Sequence, residues 1–193
     1  RIAPVMQDIF NYPGSLLELF KPRLSYRIID EHFGILPDQL LNALETIGVR
    51  DGYNGCYYIC FDHDRLLPFE LSLPNEVKDL NTGCWYVPFE KLGEIPGNFF
   101  IFCQSFISPK GDWGIFVTRD NFLLFGCTPE VGARLQQLVP ELDESIYRFF
   151  KLYDALEQKL SIRWDWLPTL IHHLYDKKYD EILEKYNFYI CDL

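Results

Sequence analysis

The pair His172-His173, followed by Asp176 and Asp180, is the first grouping in this sequence whose residue types can do chemistry. On a helix, His172, Asp176 and Asp180 fall at i, i+4 and i+8 on one face, where an imidazole and two carboxylates could converge on a metal ion. The H-E-x-x-H arrangement of zinc peptidases is absent, and the competing reading is a solvated polar face opposite Ile171, Leu174, Tyr175 and Ile182. The polar face is preferred, so neither a metal nor a cofactor is expected. At "DHD" (62–64), His63 stands between two carboxylates that would raise its affinity for a proton. Aspartate is equally what a hairpin turn requires there.

Nucleophilic catalysis finds no support in the spacing. No serine stands in a G-x-S-x-G elbow, and Cys56, Cys60, Cys84, Cys103 and Cys127 all lie in or beside apolar, strand-like runs. An activated thiol needs exposure and a cationic neighbour, and these cysteines are expected to have neither. Glycine-rich phosphate loops are missing too. The strand-to-helix junction "FGCTPE" could offer backbone N–H groups to an anion, but Glu130 in the first turn would oppose one.

What remains is an excess of amphipathic aromatics. Trp164 and Trp166 lie two apart with Arg163 and Asp165 interleaved; on a helix their rings point about 200° apart, so both cannot face the core. Trp164, Trp166 and Arg163, with Tyr57, are therefore candidate binding residues of the types found at interaction hot spots. The competing reading is that large rings fill a helix–sheet interface. Lys110 in "SPKGD" and Arg119 in "RDN" join the candidates, because they reverse the sign of an otherwise acidic chain.

The elements that must position these groups follow from periodicity. Residues 15–31 read as a short helix and an irregular piece broken at Pro22. "LPDQLLNALETIG" (36–48) reads as a helix, with Pro37 in its first turn, Leu40, Leu41, Leu44 and Ile47 on its apolar stripe, and Gly48 stopping it. The period then changes to two. Strands are expected at 55–61, 65–71, 84–92 (ending near Pro88), 99–107, 113–118 and 122–127, with 55–61 and 65–71 forming a hairpin and the last three an antiparallel meander. "FFIFCQSFI" and "WGIFV" scarcely alternate, which predicts central strands buried on both faces. Thr128, Pro129 and Glu130 form a helix start, with Val131, Leu135 and Leu138 or Val139 facing in. Further helices are expected from about 143 to 160, 164 to 175 and 178 to 187, with Leu156 and Leu160 on the inner face of the first.

The expected architecture is a single α+β domain over residues 1–193. It comprises N-terminal helices (about 15–48), an antiparallel sheet of five or six strands (about 55–127) and C-terminal helices (about 128–187). A chain of 193 residues with 48% apolar and 17% aromatic content can bury a sizeable core, which excludes the disordered class. The 18 basic and 28 acidic residues give −10, so nucleic acid and anionic membrane surfaces are repelled. No run approaches the roughly 20 apolar residues of a membrane span. "RIAPVMQDIFNYPGS" meets Asp8 before any apolar stretch long enough for a signal peptide. Cys56 and Cys60, four residues apart on a strand, are separated by about 13 Å and cannot pair. Buried free thiols place the chain in a reducing cytoplasm.

The run "LPDQLLNALETIG" ahead of an antiparallel meander resembles the layout of SMI1/KNR4-type domains over under a third of the chain. That resemblance implies neutralisation of a toxin by steric and electrostatic cover. The favoured expectation is a non-enzymatic, acidic protein-interaction module of immunity or regulatory type, its partner a protein with a basic surface, with homo-oligomerisation left open. The alternative is a small-molecule sensor or enzyme using an aromatic-lined pocket between the sheet and the C-terminal helices, with His63 or His172 as its polar group.

Overall fold

The computed structural model describes residues 5, 8–10, 20–21, 23–30, 37–61, 84–92, 103–118, 122–160, 166–175 and 184. In chain order the elements are β1 (Ser25–Asp30), α1 (Asp38–Asp51), β2 (Gly55–Phe61), β3 (Cys84–Pro88), the single turn α2 (Phe89–Leu92), β4 (Cys103–Ile107), β5 (Trp113–Val117), β6 (Phe122–Cys127), α3 (Pro129–Leu138), a 3-10 turn (Pro140–Glu144), α4 (Ser145–Leu160) and α5 (Trp166–Tyr175). The six strands form one sheet in the order β1-β6-β5-β4-β2-β3, and every neighbouring pair is antiparallel. This is an α+β fold.

β4, β5 and β6 form the expected meander, and β1 closes the sheet beside β6. β1 corrects the reading of residues 15–31: over 25–30 the chain is a strand, in register with β6 from Ser25 opposite Cys127 to Asp30 opposite Phe122. The reason is non-local. Tyr26, Ile28 and Ile29 suit a pleated surface, and the edge of β6 offers a full ladder of hydrogen bonds, which outweighs a weak local helical spacing. β2 is flanked by β3 and β4. The expected returning strand at 65–71 lies outside the described residues, as do 99–102 of the strand expected from 99.

Successive side chains of a strand point to opposite faces, and both faces of this sheet are buried. On one, Trp113, Ile115 and Val117 of β5, Leu123 and Phe125 of β6, Phe106 of β4 and Tyr58 of β2 meet Leu40, Leu44 and Ile47 of α1 and Val131 and Leu135 of α3. On the other, Phe116, Phe122, Leu124, Ile107 and Ile59 meet Ile9, Phe10 and Phe20 from the N-terminal segment, Phe149 and Tyr153 of α4, and Leu170 and Ile171 of α5. Every residue of β5 is buried, as the missing alternation in "WGIFV" predicts, and so is every residue of β6.

The second face carries a trough. Gly126 stands between Tyr26 and Gly114 in register. A Cβ on Gly126 would lie 2.6 Å from a Phe20 ring carbon, and one on Gly114 2.5 Å from Ile9. These two positions must be bare for the N-terminal segment to lie on the sheet, and Phe10, Phe20 and Tyr26 then stack across it, with centroids 5.2 and 5.4 Å apart.

The ends of α1 differ from the sequence reading. Pro37 precedes the helix with ψ 133°, and the helix passes through Gly48 to end at Gly52, whose φ of 87° is left-handed. The Gly52 N–H donates to the Val49 carbonyl and the Tyr53 N–H to that of Gly48, a Schellman closure. Gly48 has a different duty: a Cβ there would meet the Phe89 ring at 2.6 Å. α3 starts as expected, with Thr128 Oγ1 accepting from the Val131 N–H at 3.4 Å and Pro129 in the first turn. At its other end Val139 turns in, while Leu138 is 40% exposed. α4 buries Ile146, Phe149, Phe150 and Tyr153, but Leu160, the last residue of the helix, is 49% exposed and not inward. Of the expected fourth C-terminal helix only Glu184 is described, and it is helical.

Cys56, Cys84 and Cys127 are buried free thiols, and Cys56 and Cys60 share the extended strand β2. Burial pushes the Cys56 thiol up, helped by the nearby Cys84. Burial and then Asp112 push up the Tyr53 hydroxyl, against a lowering hydrogen bond from Trp113.

Two outcomes are expected. Trp113 is fully buried, so Trp113→Ala should cost about 3 to 5 kcal/mol in urea unfolding; a loss below about 1 kcal/mol would place the ring outside the core. The folded chain holds the Cys56 and Tyr53 protons more tightly than the unfolded chain. Their stabilisation is therefore fully present below the ordinary thiol value of about 8.5 and lost as pH rises toward the folded values. The urea midpoint should fall above about pH 8.5, less steeply in Cys56→Ala; an identical slope in that variant would remove the thiol from the account.

Candidate functional site

Of the sequence candidates, the side chains of Tyr57, Lys110 and His172 are described, and they lie on β2, the β4–β5 turn and α5. Tyr57 sits half-buried on β2 with its ring edge-on to Tyr86, 5.6 Å away, and the Tyr86 hydroxyl donates to Asn54 Oδ1 at 2.8 Å. Lys110 is exposed on the β4–β5 turn, and His172 is exposed on α5. Trp166 opens α5, but its side chain, like Arg163, Trp164, Arg119, His63, Asp176 and Asp180, lies outside the described residues. Among the described residues no group of three metal-ligating side chains comes together.

The turn "SPKGD" has a structural task. Asp112 accepts from the Ser108 hydroxyl, the Asp112 N–H donates back to it at 3.1 Å, and Gly111 takes a φ of 66°. Arg23 Nη2 donates to the carbonyls of Asp8 (3.0 Å) and Gly111 (3.1 Å), joining the turn to the N-terminal segment. The Thr128 N–H donates to the Asp112 carbonyl at 2.8 Å, so the same turn seats the start of α3.

Beside it lies a polar knot that periodicity alone does not reveal. Trp113 Nε1 donates to the Tyr53 hydroxyl at 3.0 Å. Arg134 Nη1 donates to both carboxylate oxygens of Asp51, each at 2.9 Å. With Asp51 held by Arg134 and Asp112 by Ser108, both carboxylates are hydrogen-bonded, and the knot ties α1, β5 and α3 together.

One thiol departs from expectation. Cys127 has a cationic neighbour, Arg27 Nη1 at 3.9 Å, and the Ser25 hydroxyl at 3.7 Å. Strand pairing brings Arg27 there across 100 residues of sequence. Burial nonetheless raises the thiol, with Ser25 and Arg27 pulling the other way, and Cys127 is fully buried. Arg27 spends its Nε on Asp143 at 2.6 Å. An enclosed thiol of raised pKa is a poor nucleophile.

Among the described residues, an open groove of 340 Å³ lies between α1 and the end of α3, lined by Gln39, Asn42, Ala43, Thr46, Leu138, Val139, Pro140 and Glu141. Thr46 Oγ1 donates to the Asn42 carbonyl at 2.8 Å, and Gln136 Nε2 to that of Pro140 at 3.0 Å. Leu138 is 40% exposed, and Val49, three residues beyond Thr46 on the same stripe of α1, is 65% exposed. The groove lies on the face of the sheet that α1 and α3 cover, opposite α4 and α5. Its signal in the sequence is faint: Val49 is an apolar residue on the stripe that carries Asn42 and Thr46. No family model matches the chain, and neither a curated protein nor a solved structure matches it.

Proposed function

We propose that this chain is a non-enzymatic protein-interaction module whose partner presents a basic surface. The observation that carries this reading is the groove between α1 and α3, which holds an apolar floor and an exposed leucine within an acidic chain of net charge −10. Its lining contains polar amides and one carboxylate but no histidine, cysteine or serine, which suits recognition better than catalysis. Cover of a toxin by an immunity-type protein is one version of this function, and regulatory binding in the cytoplasm is another.

Affinity capture from the source lysate tests it, with wild type and Leu138→Lys as baits. Wild type should retain a basic protein that is released at about 1 M salt, where the Debye length is about 3 Å. Retention of no protein at any ionic strength would sink the proposal.

A further inference from the structure

The length of the groove bears on the form of segment that could occupy it. Its α1 wall runs from Gln39 to Thr46, seven residue steps and about 10.5 Å along the helix axis. That is the axial reach of anchors at i, i+3 or i+4, and i+7 on a helix laid into a groove. The floor for such anchors is Ala43, Leu138, Val139 and Pro140.

Charge is arranged around this floor. Glu141 lines the groove, and Glu144 follows it by three residues in the 3-10 turn Pro140–Glu144, where side chains three apart eclipse. On α1, Asp38 and Glu45 are exposed beside the stripe that carries Asn42 and Val49. Arg50, one turn beyond Thr46, marks the far end of the wall. Arg134 there is paired with Asp51. Glu141 is the charge that lines the groove; Asp38, Glu45 and Glu144 are exposed on the flanks of its two walls, and Arg50 continues the stripe of Gln39, Ala43 and Thr46.

We infer that the groove between α1 and α3 receives one amphipathic helix of a basic protein, its apolar face on Leu138, Val139 and Pro140 and its lysines or arginines toward Asp38, Glu45, Glu141 and Glu144. The inference rests on the protein-binding reading above and adds the form of the partner's segment. Rim carboxylates speed encounter and select a cationic partner, while burial of the anchors holds it. Gln39 and Asn42 supply amides for polar groups on the helix flank.

The test uses the whole chain, labelled with ¹⁵N, and two synthetic peptides of about 15 residues built only from leucine, alanine and lysine. One places its leucines on a single helical face; the other has the same composition with the leucines scattered. The amphipathic peptide should shift the amides of Gln39, Asn42, Thr46, Leu138 and Glu141 and bind about tenfold or more tightly than its isomer. Leu138→Lys should weaken it by a similar factor, since lysine is tolerated at a helix C-terminus and repels a cationic partner. Glu141→Lys should weaken it less and flatten its salt dependence. Equal binding of both peptides with shifts scattered over the acidic surface, or no binding by either, would overturn the inference. So would self-association of the chain that Leu138→Lys abolishes, because a second copy would then be the occupant. Lysate capture separates the two levels: a basic protein held equally by wild type and Leu138→Lys would leave the interaction module standing and remove the groove from it.

Discussion

A strand buried on both faces cannot leave any side chain to water, and β5 and β6 are two such strands side by side. The rest of the molecule answers that constraint. A layer containing α1 and α3 covers Trp113, Ile115 and Phe125, and a layer of N-terminal segment, α4 and α5 covers Phe116, Phe122 and Leu124. Neither layer is dispensable, because exposing either face would return a continuous apolar surface to solvent. The two layers meet the sheet differently. The first brings ridged helices onto large side chains, whereas the second begins in the bare trough at Gly114 and Gly126, where only a closely laid segment fits.

Directional contacts then set the position of each layer. Burial is non-directional and would tolerate α1 sliding on the sheet. The Trp113–Tyr53 hydrogen bond and the Arg134–Asp51 pair remove that freedom by joining the end of α1 to β5 and to the middle of α3. On the opposite side Tyr175 of α5 accepts from the Ile28 N–H at 2.9 Å, which occupies a backbone donor of the edge strand β1 and holds the last described helix against it. Arg27, from the same strand, reaches Asp143 ahead of α4.

How much of this was legible depends on the distance over which each feature is decided. The absence of alternation in "WGIFV" predicts two buried faces for β5, and "TPE" predicts the start of α3 through its own side chains. Both signals are local. β1 was missed because its existence depends on the free edge of β6, about 100 residues away in sequence. Gly48 and Gly52 look interchangeable as helix stops; only the Phe89 ring at 2.6 Å shows that the first is needed for close approach and the second for its left-handed φ. The candidate site fared worse for the same reason. Gln39 and Glu141 come from opposite ends of the chain's middle and meet only because α1 and α3 share a face. The aromatics around Trp164, conspicuous in sequence, lie outside the described residues.

The groove follows from how α1 and α3 are fastened. At the C-terminal end of α1 the pair Arg134–Asp51 holds the helices together. Toward its N-terminal end the facing positions are Gln39, Asn42 and Thr46, side chains that do not seek burial against a neighbouring helix. On the other wall Pro140 ends regular helix and diverts the chain into the 3-10 turn, so α3 supplies no further turn with which to close the gap. Apolar side chains at those α1 positions would extend the core by two turns, yet polar ones stand there, with Leu138 left exposed opposite them.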